Sequence, residues 1–208
     1  IKTKEVNMKT LIYSLPAINQ KTIKLIRILV LFLLFTSVCY SQVSERWVQR
    51  NNGPGNSEDE VNACTVDNMG NVYVTGRYTV SGAYDYGTIK YDAAGNQLWI
   101  KTYNGPGNST DYSKSIAVDN LGNVYVTGFS VGNGTGNDFA TIKYDAAGNE
   151  LWVKRYNGGN SERSYSLAVD NSGNVFVTGT THVDYLTIKY DTAGNELWIR
   201  VYNGPGKG

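Results

Sequence analysis

The stretch SIAVDNLGNVYVTG, Ser115 to Gly128, recurs on either side of itself, at Asn62 to Gly76 and at Ser166 to Gly179. A repeat constrains the fold more than any other feature, because each copy is one supersecondary unit that buries its apolar face only against its neighbours. Asp67, Asp119 and Asp170 stand 52 and 51 residues apart, and Trp47, Trp99, Trp152 and Trp198 stand 52, 53 and 46 apart. The last interval is short only in the segment after Gly179 and in the NGGNSER linker, and length changes confined to loops leave the strands in phase.

Within one copy, four runs alternate apolar and polar residues between Gly, Asn and Asp, which is the strand and turn signal. In the middle copy they are Ser115 to Val118 (A), Val124 to Thr127 (B), Phe139 to Tyr144 (C) and Glu150 to Tyr156 (D). DNLGN joins A to B, and DAAGN joins C to D. Both loops place Gly third after Asp, as in a hairpin built on a type I turn followed by a left-handed residue. That predicts positive φ at Gly70, Gly122 and Gly173, and at Gly95, Gly148 and Gly194.

A four-stranded antiparallel unit repeated at this interval is the signature of a propeller blade. The fold class is therefore all-β, a β-propeller of three complete blades, about 62–103, 114–156 and 165–202, preceded by a D-like strand at Trp47 to Arg50. Three blades do not close a ring, so the expectation is an open part of a larger propeller, with self-association through its open edges as a further possibility.

Residues 1–41 have a different character. From Met8 a basic stretch (Lys9, Lys21, Lys24, Arg27) leads into the apolar run Ile28 to Phe35 and then small residues, as in a secretory signal peptide cleaved after Ser41. The apolar run is well short of the ~20 residues that a spanning helix needs. Residues 42–208 are then the propeller, secreted or at the cell surface, with a net charge of about −4 and no electrostatic footprint for nucleic acid. Their single cysteine, Cys64, aligns with Ile116 and Leu167 and is expected to be a buried small hydrophobe.

VDNxGNVYVTG followed by DYxTIKYDxAGNELW resembles the bacterial SBBP-type beta-propeller repeat family over nearly all of residues 45–208. The resemblance implies a secreted or surface propeller of many blades. It implies no reaction, ligand or catalytic residue.

The residues themselves point away from catalysis. Asp67, Asp119 and Asp170 read as turn formers rather than as metal ligands or an acid–base set. Lys90, Lys143 and Lys189 recur at equal positions, which suggests solvated or interblade salt-bridging side chains. His182 is the only histidine, so neither a His-based metal site nor a catalytic dyad is expected, and no cofactor is called for.

The segments Arg77 to Tyr84, Phe129 to Asn137 and Thr180 to Val183 differ in every copy and read as loops on one face of the propeller. Loops on a rigid scaffold are where binding usually resides. With Glu58 to Glu60, Thr110 to Tyr112 and Glu162 to Arg163 beside them, they form the expected binding face for a protein or glycan. Its candidate residues are Arg77, Tyr78, Tyr84, Asp111, Tyr112, Phe129, Asn133, Asn137, Arg163 and His182. The competing readings are a structural spacer and a hydrolase or lyase with an active site in the central channel.

Overall fold

A computed structural model describes residues 19–21, 24, 45–54, 58–80 and 82–205. Residues 1–45 and 46–208 form separate units, and the second holds all the strands described. The apolar run and the cleavage point after Ser41 lie outside the described residues. No helix among the described residues is long and apolar enough to cross a membrane.

Twelve strands form three four-stranded antiparallel sheets, each hydrogen-bonded in sequence order. Blade 1 comprises β1 (Glu60–Val66), β2 (Val72–Val80), β3 (Ala83–Tyr91) and β4 (Gln97–Tyr103). Blade 2 comprises β5 (Asp111–Val118), β6 (Val124–Val131), β7 (Asn137–Tyr144) and β8 (Glu150–Tyr156). Blade 3 comprises β9 (Arg163–Val169), β10 (Val175–Thr180), β11 (Tyr185–Tyr190) and β12 (Glu196–Tyr202). This is the expected open β-propeller.

The turns form as their chemistry dictates. All six turn glycines have φ between 79° and 87°. In the first turn Asp67 Oδ1 accepts from the amides of Met69 and Asn71, while Oδ2 accepts from Asn71 Nδ2. The other five turns repeat those bonds, so each carboxylate is spent on its own loop. A groove of about 440 Å³ between the turns at Asp119 and Asp170 is lined by both acids.

The core lies between blades. Tyr73, Tyr86, Trp99 and Tyr103 of blade 1 pack on Ile116, Val124, Val126, Ala140, Ile142 and Tyr144 of blade 2. Blade 2 presents the matching aromatic face, Tyr125, Phe139, Trp152 and Tyr156, to Leu167, Val175, Val177, Leu186, Ile188 and Tyr190 of blade 3. Each interface is therefore an aromatic face seated on an aliphatic one, and burial of apolar area drives the docking.

Polar ties recur at each interface. Thr75 Oγ1 donates to Ser113 Oγ (2.8 Å), which donates to the Gly76 carbonyl (2.7 Å). Thr127, Ser164 and the Gly128 carbonyl repeat the arrangement one blade on. Lys90 Nζ and Trp99 Nε1 both donate to the Ala146 carbonyl, and Lys143 Nζ and Trp152 Nε1 both donate to that of Thr192. Lys90 and Lys143 are thus neither solvated nor ion-paired: they are buried, and each grips the next blade's C–D turn while lying 5.1 Å from a tyrosine ring centroid.

Three expectations are corrected. Trp47 to Arg50 is not a strand, because no strand lies beside it among the described residues to complete a ladder. Trp47 nevertheless occupies the seat of its repeats: a Cβ on Gly95 would lie 2.6 Å from its ring, as one on Gly148 or Gly194 would meet Trp99 or Trp152. Cys64 is exposed rather than buried. Ile116 and Leu167 are covered by the blade before them, and among the described residues no four-stranded blade covers that side of blade 1. The A strands also begin earlier than the alternation indicates, at Glu60, Asp111 and Arg163. A β-bulge at Asn62, Lys114 and Tyr165 breaks the period of two in all three.

Candidate functional site: the inner rim

The A strands form the inner edge of the fan: β5 approaches both β1 and β9, and β5 and β9 also meet the preceding blade's B strand, β2 and β6. The bulges sit on this edge, where an unpaired residue is re-aimed out of the sheet. Second before the bulge, beyond the pairs of Gly76, Gly128 and Gly179, the pairs Glu60·Arg77, Tyr112·Phe129 and Arg163·Thr180 occupy one and the same cross-strand position in the three blades. The scaffold repeats; this position does not.

These residues interlock across blade boundaries. Glu58 and Glu60 hold the Arg77 guanidinium at 2.7 and 3.1 Å. Arg77 lies over Tyr84 (4.7 Å) and Tyr112 (5.9 Å), Lys114 over Tyr112 (5.3 Å) and Phe129 (5.9 Å), and Arg163 over Phe129 (5.2 Å). The rings of Tyr84, Tyr112 and Phe129 form a tilted row with centroid separations of 5.9 and 5.2 Å. Cations over ring faces are attracted by the ring quadrupole, so the row is a self-supporting ladder of alternating cations and aromatics.

Of the ten candidate residues, five join this ladder: Arg77, Tyr84, Tyr112, Phe129 and Arg163. Only Asn133 and His182 lie in loops, both exposed, and neither makes a ladder contact. The other eight lie in strands, because β2 and β3 pair as far as Val80·Ala83 and β6 and β7 as far as Val131·Asn137. The segments read as loops Arg77 to Tyr84 and Phe129 to Asn137 are therefore mostly hairpin arms, and only 132–136 and 181–184 connect strands in the second and third blades. Tyr78 turns away from the rim and donates to Asn51 Oδ1, and Asn137 donates to Ser161 Oγ in the following linker.

Asp111 belongs to the scaffold. It is fully buried, and its carboxylate accepts from the amides of Gly105 (2.6 Å) and Val131 (3.2 Å). Asp59 does the same for Gly53 and Thr79, and Glu162 accepts from Asn160 N. Each acid pins the linker that precedes its blade. Lys114 is the rim residue that sequence reasoning missed, although the exchange Asn62, Lys114, Tyr165 at one repeat position was visible.

Asp85, Asp138 and Asp184 are equivalent positions with unequal surroundings. Arg155 bridges Asp138 (2.8 Å), Ser130 and Tyr103, whereas blade 1 has Thr102 in place of that arginine. Asp85 is buried with one carboxylate oxygen unpartnered, and burial, with the Asp111 charge beside it, pushes its pKa up to about 6. The folded chain then holds a proton that the unfolded chain has already released, so stability falls as pH rises from about 4 to about 6. Asp85→Asn should raise the melting temperature at pH 7 and have a much smaller effect near pH 3, where Asp85 is mostly neutral in both states; equal effects at both pH values would contradict this.

Among the described residues no group of three or more His, Cys, Asp or Glu is placed to hold a metal ion.

Comparison with known proteins agrees with the architecture. Residues 98–140 and 151–185 match the SBBP beta-propeller repeat model. An uncharacterised WD repeat-containing protein of Acanthamoeba polyphaga mimivirus is 27% identical over 128 residues, 53% of this chain and 9% of that protein. The regulatory protein FlaEY of Caulobacter vibrioides is 30% identical over 115 residues, 48% of this chain and 12% of that protein. The chain thus spans a small part of the curated relatives it matches. A solved structure of a protein of unknown function from Bacteroides caccae aligns with TM-score 0.47 and 14% identity, over 68% of this chain and 46% of that one. Two stretches of this chain, from β4 into β7 and from β8 into β11, thus carry the SBBP beta-propeller repeat pattern.

Proposed function

We propose that the chain is a non-enzymatic binding module of a secreted or cell-surface protein, and that its partner, a protein or glycan, meets the inner rim. One observation carries the reading: in a scaffold whose turns, ties and pins repeat blade by blade, the positions that do not repeat converge in one place. Packing alone would favour the same residues in every blade, as it does for the tyrosine, tryptophan and lysine ties. Secretion rests on the basic stretch and apolar run before Ser41.

The test is a glycan and peptide array probed with the chain and with a variant carrying Tyr112→Ala, Phe129→Ala and Arg163→Ala. Loss of the strongest signals in the variant is expected; an unchanged array pattern would exclude the rim. A spacer is the second reading, favoured by ladder contacts that cross blade boundaries and so tie neighbouring blades together. In that case the variant melts earlier and no ligand distinguishes it from the parent.

A further inference from the structure

Charge is unevenly distributed along the rim. At its blade 1 end Arg77 is matched by two carboxylates, Glu58 and Glu60. At its other end Lys114 and Arg163 flank the single ring of Phe129, and among the described residues neither forms a salt bridge. The polar contact of Lys114 is the Asn62 side-chain oxygen at 3.3 Å. The acids next in sequence to this end of the ladder, Asp111 and Glu162, are fully buried and turned to linker amides. Two like charges held against one ring repel each other, and in a region of net charge about −4 that local excess is unusual.

We propose that the Lys114–Phe129–Arg163 end of the rim receives the carboxylates of an acidic peptide segment. This rests on the rim being the binding face and names the chemistry of its partner. An ammonium and a guanidinium 5.9 and 5.2 Å from one ring centroid supply two anion-binding groups, of which the guanidinium can bind a carboxylate in bidentate geometry. Lys114 lies on the bulge, which fixes its backbone out of the sheet plane and limits the entropy lost when an anion is bound. A sugar partner is the less favoured reading: two cations lie 5.9 and 5.3 Å from the Tyr112 ring centroid and two lie 5.9 and 5.2 Å from that of Phe129, where they compete with a pyranose for the aromatic surface. Recognition is left to charge and to the backbone of an extended segment.

The probe is a fluorescein-labelled peptide of alternating Glu and Gly, titrated with the chain and followed by anisotropy at low salt. Saturable binding is expected, weakened by about tenfold or more in the Lys114→Ala/Arg163→Ala double variant and strongly reduced by added salt. Lys114→Arg should retain binding. Lys101→Ala and Lys154→Ala, on the outer strands, should leave it unchanged. Thermal melts of each variant separate loss of binding from loss of fold, and Arg163 is exposed enough for its removal to be tolerated. Absence of peptide binding overturns the proposal, as does equal weakening by the outer-strand variants. Tighter binding of an oligogalacturonate probe overturns it in favour of an acidic glycan. If the peptide fails while rim substitutions still erase array signals, the binding face stands and only the acidic-peptide assignment falls.

Discussion

Gly128→Ala should destabilise the chain by about 3 kcal/mol or more in urea unfolding, among the largest effects expected of any single methyl group added to it. The cause is the A-strand bulge. It draws β5 over β6 so closely that a Cβ at Gly128 would overlap the Tyr112 carbonyl oxygen and lie within 2.7 Å of Ser113 Cα. Gly76 and Gly179 face the same obstruction from Glu60 and Arg163. Backbone cannot rotate away as a side chain can, and here it also carries the Ser164 tie to the Gly128 carbonyl. Gly136→Ala is the control: its nearest neighbours lie at 3.5 Å or beyond, so its effect should stay within about 0.5 kcal/mol. Equal effects at the two positions would refute the account.

The second large effect is a contrast between identical residues. Trp152→Ala should cost about 3 kcal/mol, because the indole seats on Gly194, packs against Tyr125 and Tyr190, and donates to the Thr192 carbonyl of the next blade. Trp198→Ala should cost about 1 kcal/mol or less, since among the described residues its ring contacts, Phe176 and Arg200, lie in its own blade. The difference measures the interface itself, free of any difference in residue type. Comparable losses at both positions would mean that the tryptophans stabilise their own sheets and not the docking of blades.

Strands B, C and D and all six turns were legible because their determinants are local: Asp and Gly at fixed offsets, and alternation unbroken within each strand. Even so, the D strands hide an irregularity, a bulge that turns Leu98, Leu151 and Leu197 outward. The starts of the A strands were not legible. Asn62, Lys114 and Tyr165 interrupt the alternation, and the residues before them differ from blade to blade, so strand continuation looked like variable loop. Cys64 was misjudged for another reason: its burial depends on the preceding blade, a non-local fact. Likewise Tyr185 is 66% exposed although its equivalents Tyr86 and Phe139 are both 1% exposed, because among the described residues no further blade packs on it.

The rim was half legible. Five of its residues were picked out because they vary, yet variation alone could not separate Arg77 from Tyr78, or Tyr112 from Asp111. Which of two neighbours faces the rim depends on the bulge, and which acid serves the backbone depends on where the linker runs.

The pinned linkers bear on how such a chain can lengthen. Asp111 grips Gly105 ahead of its strand and Val131 within its own blade, so the linker belongs structurally to the blade that follows it. A gene segment cut just after the tyrosine that ends strand D, at 103 or 156, therefore carries its pin, its turns and both docking faces intact. Tandem duplication at that boundary adds a unit that fits at once, while the few rim positions are left free to diverge between copies.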